Sequence, residues 1–159
     1  MNIQIISLGR LKEKYLSEAM KEYEKRISAF AKFSVTELEP ERISENPSQA
    51  EIDAALETEA GKIMGKIPQN SLVIAMCIEG KQFSSEDFAK KISNAALNGQ
   101  SSIVFVIGSS HGLSQKVKNM AQIKLSMSEM TFPHQLARVM LSEQIYRAFM
   151  IINNRKYHK

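Results

Sequence analysis

The chain has 159 residues, of which 43% are hydrophobic and 24% charged, the balance of one globular domain and not of a disordered or low-complexity segment. A single cysteine, Cys77, excludes an internal disulfide, and the three histidines at 111, 134 and 158 have no zinc-site spacing, so no metal is expected. The formal charge of +4 is unevenly spread: residues 1–70 carry 10 Lys/Arg against 12 Asp/Glu, and residues 71–159 carry 11 against 5, a basic half that suits an anionic partner such as RNA.

The opening MNIQIISLGRLKEKYL has no basic flank before its apolar run and reaches charge by Arg10. It therefore reads as neither a signal peptide nor a membrane span, and a cytoplasmic setting is expected. Asn2 to Leu8 is a β-branched apolar run closed by Gly9 and predicts a buried strand. Tyr15 to Phe30 spaces Tyr15, Leu16, Ala19, Met20, Tyr23, Ile27 and Phe30 at steps of three and four, the pattern of an amphipathic helix. Phe33 to Leu38 alternates as a half-buried strand would, and Pro40 to Pro47 forms an acidic loop before a helix over Gln49 to Ile63.

From Ser71 onward strand and helix alternate three times. Strands are predicted at Leu72 to Ile78, Ile103 to Ile107 and Ile123 to Met127, with helices at Ser85 to Leu97, Gln115 to Ala121 and Pro133 to about Ile152. Ser84 with Asp87 resembles a capping box, Asn98-Gly99 a helix end, and Pro133 a first helical position. Alternation of this kind implies an α/β domain with a parallel sheet, about five strands and five helices over residues 1–159. Ligands of such sheets bind beyond the carboxyl ends of strands, which singles out the segments after Ile78, Ile107 and Met127.

Each segment has chemistry of its own. Val106-Ile-Gly-Ser-Ser-His-Gly-Leu113 brackets small polar residues with two glycines, either a plain tight turn or a loop a ligand can approach closely. It matches neither GxGxxG nor a phosphate-binding P-loop, so nicotinamide and nucleoside triphosphate cofactors lose support. Leu125-Ser-Met-Ser-Glu-Met-Thr-Phe-Pro-His134 runs from a strand through a polar turn into a helix, where free amides and the hydroxyls of Ser128 and Thr131 would face a ligand. Thr131 as an N-cap is the structural alternative. In the last helix Glu143 and Arg147 stand four apart, which by itself predicts a surface ion pair. The tail Asn154-Arg-Lys-Tyr-His-Lys159 leaves from an apolar helix. There Tyr157 can stack a base, Arg155 and Lys156 can meet phosphates, and His158 can exchange a proton near neutral pH. Cys77 lies in an apolar run and reads as a buried core residue.

The strings LGRLKEKYL, VIGSSHGL, LSMSEMTFPHQLARVMLSEQIYRAFMI and the closing YHK resemble the RlmH (YbeA-like) family of ribosomal RNA methyltransferases, a branch of the SPOUT superfamily, along the whole chain. The resemblance implies a single SPOUT-type domain with a trefoil-knotted parallel sheet flanked by helices. It implies transfer of a methyl group from S-adenosylmethionine to N3 of a pseudouridine in large-subunit (23S) ribosomal RNA, by a homodimer acting on assembled ribosomes. Cofactor contacts are then expected from Met76, Gly108, Met127, Ser128, Glu129, Met130, Thr131 and Phe132. His158 is expected to be base or proton relay, Tyr157 to stack or orient, Arg147 with Glu143 to shape the site, and Arg155, Lys156 and Lys159 to contact RNA. The last helix carries more apolar surface than one sheet face needs, so in the homodimer that the resemblance implies it is expected near a two-fold interface, from which the tail Arg155 to Lys159 could reach the partner's pocket.

The sequence departs from the family pattern at Ser109, at His111, where a Leu or Asn is often found, and in the tail. Ser109 stands where a second glycine is usual, and if that position requires positive φ it carries strain of about 1 kcal/mol. Asn154-Arg155-Lys156 replaces a Gly and a Pro that are common before the Tyr-His pair. Two other readings remain open at this point: a non-catalytic RNA-binding assembly module, and a SPOUT ribose methyltransferase acting on transfer RNA.

Overall fold

The apolar runs of this chain alternate their side chains between two cores, and that alternation sets the architecture. A computed structural model describes residues 1–157; His158 and Lys159 lie outside the described residues. The elements are β1 (Asn2–Leu8), α1 (Lys14–Ile27), β2 (Lys32–Leu38), α2 (Gln49–Met64), β3 (Ser71–Lys81), α3 (Ser85–Leu97), β4 (Ser102–Ile107), α4 (Gln115–Met120), β5 (Ile123–Leu125) and α5 (His134–Ile152). The strands form one sheet in the order β2-β1-β4-β3-β5, with every pairing parallel.

On one face, Ile3 and Ile5 of β1, Leu72 and Ile74 of β3, and Ile103 and Phe105 of β4 meet apolar residues of α1, α3 and α5. On the other, Ile6, Val73, Ala75, Val104 and Val106 meet Ala60 and Ile63 of α2 and Val117 of α4. A sheet covered on both faces needs strands that are apolar at successive positions, and all six residues of β4 are buried. Fully burying each Ile or Val stabilises the fold by about 1.5–3 kcal/mol.

Local chemistry explains most boundaries. Ser48 caps α2 through a complete box with Glu51, whereas Ser84 caps α3 by accepting from the Asp87 amide. Asn98 ends α3 and Gly99 follows at φ +76°, the left-handed turn expected of that pair. Helix α1 is shorter than its apolar spacing predicts. Its buried stripe is Leu16, Met20 and Ile27, while Tyr15 is 67% exposed and Phe30 lies past the helix end, stacked on Phe149 with centroids 5.7 Å apart.

The order β4-β3-β5 brings the carboxyl ends of three strands side by side. Strand β3 runs on past the predicted Ile78 to Lys81. Met76 and Lys81 both pair with Leu125, so the intervening residues bulge around β5. At the bulge a Cβ on Gly80 would lie 2.7 Å from the carbonyl oxygen of Lys124, so only glycine permits the two chain segments to approach this closely.

Candidate active site

The three loops after β3, β4 and β5 enclose a cavity of about 830 Å³, within the size range of small-molecule sites. Of the eight expected cofactor residues, Met76, Gly108, Met127, Ser128, Met130, Thr131 and Phe132 form its walls; Glu129 is exposed beside it and is not part of the lining. Cys77 also faces this cavity and is only half-buried, which corrects the expectation of a core position. Partial burial raises its thiol pKa, with nearby Glu79 adding to the effect, so the thiol stays protonated at neutral pH.

The β4 loop is built by backbone geometry. A Cβ on Gly108 would sit 2.3 Å from the Gly112 carbonyl oxygen, and the Gly112 amide donates to Ser109 O at 2.9 Å. Gly112, at φ +82°, supplies the left-handed residue, whereas Ser109 is not among the positive-φ positions. The strain expected of Ser109 is therefore absent. Its hydroxyl instead donates to Oε2 of Glu59 at 3.0 Å, and Oε1 of that carboxylate accepts the Glu41 amide at 2.9 Å. Glu59, 3% exposed, thus ties the loop to α2 and to the acidic connection.

The β5 loop turns on serines. Ser126 donates to Ser128 O at 2.9 Å, and Ser128 Oγ accepts from the Met130 amide at 3.1 Å. Neither Thr131 nor any other side chain caps α5, whose N-cap is Pro133, one position earlier than the first helical residue expected for it. The uncapped first turn of a 19-residue helix presents amide donors beside the cavity.

Arg138 was missed by sequence reading. It is 1% exposed and donates to Glu37 Oε1 at 2.5 Å, Ser7 Oγ at 2.6 Å and Gly9 O at 2.8 Å, clamping α5 to the ends of β1 and β2. An arginine on the core-facing stripe of a helix was the available signal. One turn earlier, His134 lies under Gly9, where a Cβ would be 3.3 Å from its Nε2. Burial, then the Arg138 and Lys12 charges, lower the His134 pKa.

The tail packs on α5 of its own chain. Asn154 adopts φ +51° and the Arg155 amide returns to Met150 O at 2.9 Å, so asparagine fulfils the left-handed role often taken by glycine at a helix end. The Arg155 guanidinium lies 5.2 Å from the Phe30 ring centroid, while Lys156 is exposed. Glu143 and Arg147 do pair, at 2.6 Å, but with side chains 19% and 25% exposed, a half-buried pair and not the surface pair their spacing suggested. Tyr157 donates to Glu143 Oε1 at 3.1 Å, stands edge-on to Tyr146 with centroids 4.9 Å apart, and lies under the Arg147 guanidinium at 4.8 Å. Burial and the Glu143 charge raise the Tyr157 pKa. The phenol is therefore a donor at neutral pH and not a proton acceptor. The expected base, His158, and the expected RNA contact Lys159 fall outside the described residues.

Among the described residues no group of His, Cys, Asp and Glu is arranged to hold a metal ion, and no helix is long and apolar enough to cross a membrane. A parallel α/β sheet with a three-loop cavity at its carboxyl edge is the framework of a SPOUT methyltransferase. The family described as "Predicted SPOUT methyltransferase" matches residues 1–158, and the chain belongs to it. Within that class it belongs to the RlmH family. It is 48% identical to the ribosomal RNA large subunit methyltransferase H of Streptococcus suis (strain 05ZYH33) and 51% identical to ribosomal RNA large subunit methyltransferase H 1 of Clostridium perfringens (strain SM101 / Type A), each over 100% of both chains. Among solved structures it is similar to a probable methylase family protein from Haemophilus influenzae Rd KW20, with TM-score 0.52, 16% identity, and 99% of this chain and 70% of that one covered.

Proposed function

We propose that the protein methylates N3 of a pseudouridine in large-subunit ribosomal RNA, using S-adenosylmethionine, as a homodimer acting on assembled ribosomes. The observation that carries this reading is the convergence of seven family-expected cofactor residues on one cavity at the sheet edge. S-adenosylmethionine would supply an electrophilic methyl group there. Its adenosine and methionine parts would be gripped by main-chain groups of the loops at Met76, Gly108 and Met127 to Phe132. Ile78, Met130 and Leu136, at 54%, 73% and 38% exposure, leave apolar surface around the cavity that a second subunit would cover.

The acceptor nitrogen must lose its proton, and its lone pair must then align with the methyl carbon; positioning supplies most of the rate. Glu143 accepts hydrogen bonds from Arg147, Tyr157 and Gln144, so it anchors these groups and is not itself the base. Arg147, paired with Glu143, would help to shape the site around the ring. His158 is the residue assigned to take or relay the proton. With Ser109 unstrained, nothing at the cofactor loop favours a non-catalytic module. Mass spectrometry of ribosomal RNA from cells with and without the gene tests the reading: one pseudouridine should lose a methyl group in the deletion strain, and an unchanged modification pattern would refute it.

A further inference from the structure

In-line transfer needs the acceptor nitrogen about 3–3.5 Å from the methyl carbon, so the acceptor's space must adjoin the donor's cavity and share lining residues with it. Two smaller cavities do so here. One, of about 160 Å³, lies on the α2 side and shares Ser109, Ser110, His111 and His134. The other, of about 370 Å³, lies between α3 and α5 and shares Met76, Leu125, Ser126 and Met127.

Size and charge separate them. The first falls below the range of small-molecule pockets, and its walls include Glu41 and the buried carboxylate of Glu59, which would repel a nucleotide. The second lies within that range. Its apolar walls are Phe83, Phe88, Met127 and Met140, soft and aromatic surfaces of the kind that hold a planar base. At its rim the ammonium groups of Lys81 and Lys91 lie 5.6 and 5.8 Å from the Phe83 ring centroid, positive charge suited to the flanking phosphates.

The polar wall is fixed in orientation. Ser85 Oγ donates to Gln144 Oε1 at 2.7 Å, and Gln144 Nε2 donates to Glu143 Oε2 at 2.7 Å. That leaves lone pairs on the serine oxygen and a second N–H on the amide, an acceptor beside a donor. The edge of a uracil-type ring, where N–H alternates with C=O, is the complement of that pair. The carboxylate at the back of the cavity is paired with Arg147 and does not present an unbalanced negative charge.

The geometry points to the α3–α5 cavity as the receptor for the acceptor base, flipped out of the RNA and held between Phe83, Met127 and Met140 with its polar edge on Ser85 and Gln144. This inference rests on the methyltransferase reading above. Base extrusion of this kind is the general solution for enzymes that modify a base atom.

Met140→Trp fills the cavity without touching the glycine loop. With ribosomes from the deletion strain, this variant should bind S-adenosylhomocysteine within threefold of wild type by calorimetry and transfer methyl at least 100-fold more slowly in a single turnover. A folded, cofactor-binding variant that transfers within twofold of wild type would overturn the assignment. Should Met140→Trp not fold, Ser85→Leu blocks the same mouth and carries the same two expectations. A second measurement does not depend on turnover: in wild-type protein with 13C-methyl methionine and S-adenosylhomocysteine, pseudouridine 5′-monophosphate should shift the Met140 and Met127 methyl signals and leave Met120 unmoved. Saturable shifts elsewhere, or none, would overturn it. Wild-type protein that transfers no methyl to large-subunit RNA would sink the functional reading, while the nucleotide titration still decides the cavity.

Discussion

Tyr157 and Glu143 are joined by a hydrogen bond of 3.1 Å, and through it the C-terminal tail is registered against the middle of α5. Because Glu143 also lines the α3–α5 cavity, the bond connects tail position to the space beside the larger, three-loop cavity. Tyr157→Phe removes the bond and keeps the ring contact with Tyr146. It should slow single-turnover methyl transfer by about tenfold while leaving S-adenosylhomocysteine affinity unchanged; a calorimetric change with a normal rate would contradict the assignment.

Gly108 has no room for a side chain. Even Gly108→Ala places a Cβ 2.3 Å from Gly112 O, so the loop must open, at a cost of about 1–3 kcal/mol. Cofactor affinity should fall more than tenfold with far-ultraviolet circular dichroism unchanged.

Ser109 is predicted to act through Glu59. Ser109→Ala leaves one oxygen of a buried carboxylate without its donor and should lower the unfolding free energy by about 1.5–3 kcal/mol in denaturant titrations. In a Glu59→Leu background the same change should cost less than about 0.5 kcal/mol, because the partner is gone.

His134 has a folded-state pKa below its ordinary 6.5. Above that value the ring is neutral in both states; as pH falls, the unfolded chain takes up a proton that the folded one resists, and stability is lost down through the folded pKa. His134→Gln should therefore lose less stability than wild type between pH 7.5 and 5.5, measured by chemical denaturation at each pH.

Tyr157 is held on α5 of its own chain; we propose that in a homodimer the tail also completes the partner's pocket, and mixing tests it. A tail-deleted chain combined with Gly108→Val under subunit exchange should recover about a quarter of wild-type activity, since half the dimers then hold one intact site. Verified mixed dimers that stay inactive would restrict the tail to its own pocket. His158→Ala should lower the single-turnover rate more than tenfold with near-normal cofactor binding; a rate within twofold would exclude it as base or relay.

The fold was legible because its signals are local and periodic. β4 reads as a strand from Ile103 to Ile107 whether or not its neighbours are known, and a parallel sheet follows from its helical spacers. The cavity was legible by the same route, since ligands gather where parallel strands end. What stayed hidden depends on distant partners. Arg138 is unremarkable in the string LARVML until Ser7, Gly9 and Glu37 are brought around it. Ser109 invited an argument about strain because Glu59, fifty positions earlier in the chain, is invisible to local reasoning. Cys77 sits in an apolar run, yet β3 leaves the core at Met76 and carries it to the cavity wall. The start of α2 at Gln49 was legible from the loop that closes at Pro47, whereas the Ser48–Glu51 capping box that fixes it was not named.

The bulge by which β3 grips β5 from both Met76 and Lys81 also bears on how the protein is made. Synthesis runs from the N-terminus, so β3 emerges before the strand whose register it fixes. A chain interrupted ahead of Leu125 owns at most two of the three cavity loops, and neither the third nor α5. The cavity therefore takes shape only once β5, the loop after it and the first turn of α5 have been added to the sheet.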